Sequence, residues 1–221
     1  MKKVTRIHQI EITSRCNLAC RYCVHKKMPR PKIDMDGNTF NRVLTLVSHF
    51  VNAGTQRELS LHGIGESTMH PIFIEYIRRA RLLLPDIDLT CAINGVGLTA
   101  EMADAIADAK VRTWVSLHRP EKAGPAVELL RARGILAGVS ADPAIAAIDW
   151  AGQVDWHNSA GSAPCMWQNE GMAIAWSDGR IGTCGLDGQG TDGVIGTVWD
   201  DPDTLFVRPY SLCKTCHQTI Q

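Results

Sequence analysis

The sequence predicts an α/β chain, an open and partial (β/α) barrel of five or six units followed by a small C-terminal β module. Three observations lead there. Short apolar runs alternate with helical patterns of about ten to fifteen residues, which implies βα units and a parallel sheet with crossovers of one hand. Near Gly161 that alternation gives way to a Gly-, Asp- and Trp-rich stretch with weak helical periodicity. Seven of the eight cysteines fall into two groups, one near the N-terminus and one spread through the C-terminal stretch.

The elements follow in order. Ile7 to Ile12 alternates as a strand, and Phe40, Val43, Leu44, Val47, Phe50 and Val51 recur at helical spacing up to a terminating Gly54. Glu58 to His62 is a second strand. The next helix is expected to begin at Pro71, a favourable first helical position, and to stop before Pro85. Ile87 to Ile93 and Val111 to Leu117 read as strands around a helix capped by Thr99, and Glu121 to Arg133 reads as a helix closed by Gly134. Ile135 to Val139 is a fifth strand. Ala144 to Trp150 is expected to hold one or two helical turns, and Gln153 to Trp156 a short sixth strand. Beyond Gly161, Met172 to Trp176 and Gly193 to Val198 are strands around the turn Ser177-Asp178-Gly179-Arg180. The expected domains are 1–160 and 161–221. Too few units are present to close a barrel, so the site is expected at the C-terminal ends of the strands.

Composition bounds the function class. A chain of 221 residues, 45% hydrophobic, suits one compact domain with an appendage. No apolar run approaches the ~18 residues of a membrane span, and Met1-Lys2-Lys3 leads straight into a strand, so a soluble, cytoplasmic protein is expected. Eight cysteines in that setting point to metal or cluster ligands rather than disulfides. Residues 1–35 hold nine Lys or Arg against Glu11 and Asp34, so the remainder of this formally neutral chain is acidic. Either those cations offset the charge of a thiolate-ligated centre, or Lys26, Lys27, Arg30 and Lys32 form a rim for a polyanionic substrate.

The chemistry begins at Cys16-Asn17-Leu18-Ala19-Cys20-Arg21-Tyr22-Cys23, at the end of the first strand. Three thiolates at these spacings can cover one face of an iron–sulfur cluster and leave one iron open. A zinc knuckle with His25 as fourth ligand is the alternative. The C-x3-C-x2-C spacing, with an aromatic before the last cysteine, resembles the radical S-adenosylmethionine (radical SAM) superfamily. The resemblance implies a 4Fe-4S cluster on Cys16, Cys20 and Cys23, with S-adenosylmethionine on the open iron and Tyr22 at its adenine. It also implies reductive cleavage to a 5′-deoxyadenosyl radical, and an external electron donor such as flavodoxin or ferredoxin.

Gly63-Ile64-Gly65-Glu66-Ser67 resembles the superfamily's GGEP loop, with Ile64 and Ser67 departing from it, and implies that Gly65 and Glu66 hold the methionine amino group. Asn94 resembles the strand-end Asn-Gly, and Ser116 a ribose-facing serine. Alternation puts His118 on the same face as Ser116, and His118-Arg119 stands where relatives often carry Asp-Gly. Both are therefore candidates for substrate contact or proton transfer. The same alternation turns Cys91 toward the helices as a buried thiol.

Cys165, Cys184, Cys213 and Cys216 can hold zinc or a fully ligated cluster. Their order resembles the twitch module of the SPASM/twitch branch, in particular the 2-deoxy-scyllo-inosamine dehydrogenases, and implies an auxiliary 4Fe-4S cluster. The expected function is hydrogen-atom abstraction, with oxidation or rearrangement of a peptide or small molecule. Modification or isomerisation of a nucleic-acid base is the alternative. A non-enzymatic module with two zinc sites is the contrasting class.

Overall fold

The computed structural model describes residues 1–140, 149–156 and 163–219. Its sheet grows outward from the strand that precedes the first cysteines. That strand, β2 (Arg6–Ile10), follows the two-residue β1 (Lys2–Lys3) and is followed by β3 (Glu58–Ser60), β4 (Asp88–Ile93), β5 (Arg112–Ser116) and β6 (Leu136–Ser140), all parallel. The C-terminal part contributes β7 (Ala163–Pro164), β8 (Met172–Ala175), β9 (Arg180–Gly182), β10 (Val194–Thr197), β11 (Phe206–Val207) and β12 (Gln218–Thr219). Eight of these form one sheet in the order β10-β9-β8-β2-β3-β4-β5-β6. It does not close into a barrel, as the number of units predicts.

The C-terminal strands continue the main sheet. Strand β8 lies parallel to β2, with Arg6 opposite Met172 and Ile10 opposite Ala175, and β9 and β10 turn back antiparallel. The pair β1–β11 ties the N-terminus to the same region, and β7 pairs with β12.

Helices α1 (Gly37–Asn52), α2 (Phe73–Leu83), α3 (Ala100–Asp108) and α4 (Pro120–Ala132) cross over between successive strands, and α5 (Met166–Glu170) precedes β8. Helix α1 starts because the Asp36 carboxylate accepts from the Asn38 and Thr39 amides at 2.9 and 3.0 Å, and it ends at Gly54, whose φ of +74° suits glycine. Its apolar face joins Ile7, Ile10, Leu59, Leu61, Leu89, Ile93 and Val115 in one core. Thr99 caps α3 as expected, accepting from the Met102 amide at 3.2 Å.

Two expectations are corrected. Helix α2 begins at Phe73 rather than Pro71, because His70 holds the entry turn: its Nδ1 accepts from the Ile72 amide at 3.2 Å and its Nε2 faces the Met35 carbonyl at 3.0 Å. Gln153 to Trp156 is a turn, not a sixth strand. Trp150, Ala151 and Gly152 precede it in left-handed conformations (φ 54°, 58° and 82°), and Gln153 spends its amide on the Trp150 and Leu186 carbonyls and the Gly188 N–H. The helical turns expected from Ala144 fall largely on residues 144–148, outside the described residues, as does the boundary at Gly161.

Candidate functional site

The cysteine loop leaves β2 through a fixed base. Ser14 Oγ accepts from the Ile33 amide at 2.8 Å and donates to the Pro31 carbonyl at 2.8 Å, while Thr13 Oγ1 donates to Asp34 at 2.6 Å. His25 belongs to this base, with Nε2 2.9 Å from the Ser14 carbonyl. Within the loop, the Leu18 and His25 amides each point at the sulfur two residues back, Cys16 and Cys23, at 3.5 Å. Asn94 adds its Nδ2 at 3.9 Å from Cys16 Sγ and donates to Asn17 Oδ1 at 2.7 Å.

Beside the loop, at the strands' C-terminal ends, lies a pocket of about 240 Å³. It brings together Cys16, Cys20, Cys23, Tyr22, Gly65, Glu66, Asn94, Ser116 and His118. Of the candidate residues near it, Arg119 is not in the lining; it is exposed at the start of α4. The Tyr22 hydroxyl sits 2.7 Å from His118 Nδ1, joining the cysteine loop to the end of β5. Ser140 Oγ donates to Ser116 Oγ at 3.2 Å.

Gly65 is glycine for a reason internal to the chain. A Cβ there would stand 2.2 Å from the Thr13 carbonyl oxygen and 2.7 Å from that of Arg15, and the next amide, Glu66 N–H, donates to the Arg15 carbonyl at 2.7 Å. The loop is thus sewn to the cysteine loop by backbone contact. Glu66 is buried, its Oε1 accepting from Thr68 Oγ1 at 2.6 Å and its Oε2 from the Asn94 amide at 2.6 Å. Burial raises its carboxyl above the usual range, against those hydrogen bonds.

Arg30 is a correction to the proposed basic rim. Its side chain is 2% exposed and makes a two-pronged pair with Glu11 at 2.8 and 3.2 Å, the guanidinium lying 4.9 Å from the Trp176 ring. Glu11 also accepts from the Ile64 amide at 3.0 Å and from Ser177 at 3.3 Å. A lone buried carboxylate is costly, so the cation goes inward to Glu11 rather than outward to solvent. Lys26, Lys27 and Lys32 are exposed, and the Arg21 guanidinium lies 4.4 Å over Trp156.

Sequence reasoning assigned no role to His62, Ile64, Leu18 or Trp150, which also line the pocket. His62 was legible by alternation from Ser60. Its Nε2 meets Gln9 Nε2 at 2.9 Å, and burial lowers its pKa to about 4. Cys91 faces the core, as alternation predicts, and donates to the Leu61 carbonyl at 3.2 Å.

The other four cysteines converge from separate elements. Cys165 precedes α5, Cys184 follows β9, Cys213 lies in the short turn Ser211–Lys214, and Cys216 comes just after it. Cys184, Cys213 and Cys216 each lie close enough to Cys165 to interact electrostatically, and the Leu186 and Gln218 amides donate to the Cys184 and Cys216 sulfurs at 3.4 Å.

The sequence pattern of the Radical SAM superfamily matches residues 10–166, and the chain belongs to that superfamily. The chain is 33% identical over 99 residues to the tungsten-containing aldehyde ferredoxin oxidoreductase cofactor-modifying protein of Pyrococcus furiosus, a stretch covering 45% of this chain and 26% of that protein. It is 32% identical over 102 residues to the GTP 3′,8-cyclase of Chlorobaculum tepidum, covering 46% and 29%. The matches therefore span less than a third of either relative. The fold is similar to that of BtrN solved with AdoMet and 2-DOIA (TM-score 0.74, 18% identity, 90% of this chain and 80% of that one). It is also similar to anSMEcpe with bound AdoMet and a Cp18Cys peptide (TM-score 0.62, 12% identity, 89% and 78%).

Membership implies S-adenosylmethionine and a 4Fe-4S cluster, and enzymes of this superfamily draw on external reductants. The residues present fit both groups. Three thiols open onto one pocket, two of them already accepting N–H donors as cluster thiolates would. No helix among the described residues is long and apolar enough to cross a membrane.

Proposed function

We propose that the chain is a radical SAM enzyme of the SPASM/twitch branch, with a first cluster on Cys16, Cys20 and Cys23 and an auxiliary 4Fe-4S cluster on Cys165, Cys184, Cys213 and Cys216. One observation carries it: the cysteines gather at two places, three on the pocket and four in the C-terminal region, and the eighth lies in the core. When bound, the first cluster supplies the electron that cleaves S-adenosylmethionine to methionine and the 5′-deoxyadenosyl radical that takes a substrate hydrogen atom.

The chain's own residues position and exclude. Gly65 brings the loop against the cysteines, and Glu66 fixes Thr68 and Asn94 beside them. Tyr22, Ser116 and His118 line the same pocket, His118 held by Tyr22, and would serve the adenine, the ribose and the substrate respectively, with Arg119 exposed at the start of α4. Four cysteines leave an auxiliary cluster no open iron, which suits an electron acceptor for a two-electron oxidation. The substrate class is a small sugar-like molecule or a peptide; the BtrN complex contains 2-DOIA and the anSMEcpe complex a peptide.

Anaerobic iron analysis tests the reading: about eight iron per chain, with cleavage of S-adenosylmethionine under reductant, supports it, and zinc without cleavage sinks it. Deuterated sugar-like and peptide candidates, followed into 5′-deoxyadenosine, identify the substrate class. A second reading, modification of a nucleic-acid base, is favoured by exposed Lys26, Lys27 and Lys32 near Arg21 stacked on Trp156. Salt-sensitive binding of RNA or DNA would support it, and no binding at low salt would remove it.

A further inference from the structure

The four-cysteine region holds two buried polar side chains with a poorly satisfied atom. Tyr210 is 8% exposed and Asp187 1% exposed; among the described residues the Tyr210 hydroxyl meets no nitrogen or oxygen partner, only the Cys184 sulfur, and Asp187 Oδ2 meets none. A buried hydroxyl without a strong acceptor is costly unless something arrives to satisfy it.

The location says what arrives. Tyr210 stands at the entrance of the turn carrying Cys213, its carbonyl accepting from the Cys213 amide at 3.0 Å. Its ring packs on Gly193, where a Cβ would lie 2.6 Å from Tyr210 Cε2 and 2.9 Å from Cζ. The Gly193 carbonyl in turn accepts from the amide of Thr183, the residue before Cys184, at 3.0 Å. This packing sets the phenol end within hydrogen-bonding reach of the Cys184 sulfur. A protonated thiol is a weak acceptor, and a metal-bound thiolate is a strong one.

We propose that the Tyr210 hydroxyl donates a hydrogen bond to the Cys184 thiolate of the C-terminal site and raises the reduction potential of the cluster held there. The inference rests on reading the four cysteines as an auxiliary cluster site. Hydrogen bonds to ligand sulfur lower the electron density pushed onto iron and so favour the reduced state. Tyr210 is then a positioning residue acting through Cys184. Asp187 is the counterweight: its Oδ1 accepts from the Gln189 and Gly190 amides at 2.8 and 2.9 Å, and its free Oδ2 approaches the same point by Gly193, at 2.6 Å. As an anion beside the site it opposes reduction, and the phenol offsets it.

The test is a potentiometric EPR titration of the reconstituted chain and of Tyr210→Phe, repeated in a Cys16→Ala, Cys20→Ala, Cys23→Ala background so that only the C-terminal site reports. The expected result is a full iron complement at that site and a more negative midpoint in Tyr210→Phe. Replacing Tyr210 with a ring-fluorinated tyrosine, a stronger donor of nearly the same shape, should move the midpoint the other way, which keeps the test decisive if the phenylalanine variant loads poorly. Full iron with an unchanged midpoint in the fluorinated chain overturns the inference and leaves the auxiliary cluster standing. An unmodified chain in the cysteine-depleted background that takes up no iron overturns both.

Discussion

Gly65 and His62 show how single residues shape the pocket from opposite directions. Gly65 is excluded from growing a side chain by the Thr13 and Arg15 carbonyls, so Gly65→Ala must displace the cysteine loop. The expected loss is roughly 1–3 kcal/mol of stability with impaired iron uptake, measured by urea unfolding and iron content. Its tight contact is with the Thr13 and Arg15 backbone brought alongside by the fold, and no local pattern carries that information. His62 has its pKa lowered to about 4 from 6.5 by burial. Its neutral form therefore favours the fold at neutral pH, and that contribution is lost progressively as pH falls from 6.5 toward 4. His62→Gln should flatten the decline in urea midpoint between those pH values, whereas an unchanged slope would show that other groups control it.

At the scale of elements, caps and patches can be read from sequence, and partnerships across the sheet cannot. Thr99 was legible as a cap because its residue type announces it, whereas Asp36, an equally good cap for α1, was passed over in favour of the apolar pattern that begins at Phe40. Asp36→Ala is expected to cost about 1 kcal/mol, read as a lowered unfolding midpoint with unchanged activity. The charge of the cysteine loop was counted correctly and placed incorrectly at one position, since no count reveals that Arg30 faces Glu11. That pair links β2, the cysteine loop, the Ile64 loop and the turn after β8. Arg30→Met alone should destabilise by about 3–5 kcal/mol, by stranding the carboxylate. Glu11→Gln with Arg30→Met should regain most of it, because the amide oxygen still accepts from Ile64. Equal losses in the single and double variants would refute the buried-charge account.

Over the whole molecule, the alternation of strands and helices made the open parallel sheet legible, since five parallel strands joined by four helices are too few for closure. The continuation of that sheet through β8 to β10 was not legible, because a short apolar run such as Met172 to Ala175 names no neighbour. Loading of iron should rise with pH in the unloaded chain, because burial pushes the Cys23 thiol up to about 11 and raises Cys16, Cys184, Cys213 and Cys216, and each must release a proton to bind. Iron and sulfide uptake measured across about pH 6.5 to 8.5 checks this, and flat uptake would contradict it.

The pairing of Arg6 with Met172 also fixes a sequence of events during synthesis. The strand that launches the first cysteines is made long before one of its two neighbours, Met172–Ala175. Contacts of such long sequence separation form late. Until then the Cys16, Cys20 and Cys23 thiols sit on a loop whose supporting strand has an open flank. Ribosome-bound chains halted before Met172 should take up little iron at Cys16, Cys20 and Cys23, and chains in which Met172–Ala175 has cleared the ribosome should take it up readily, so that metal assembly waits on the later strands.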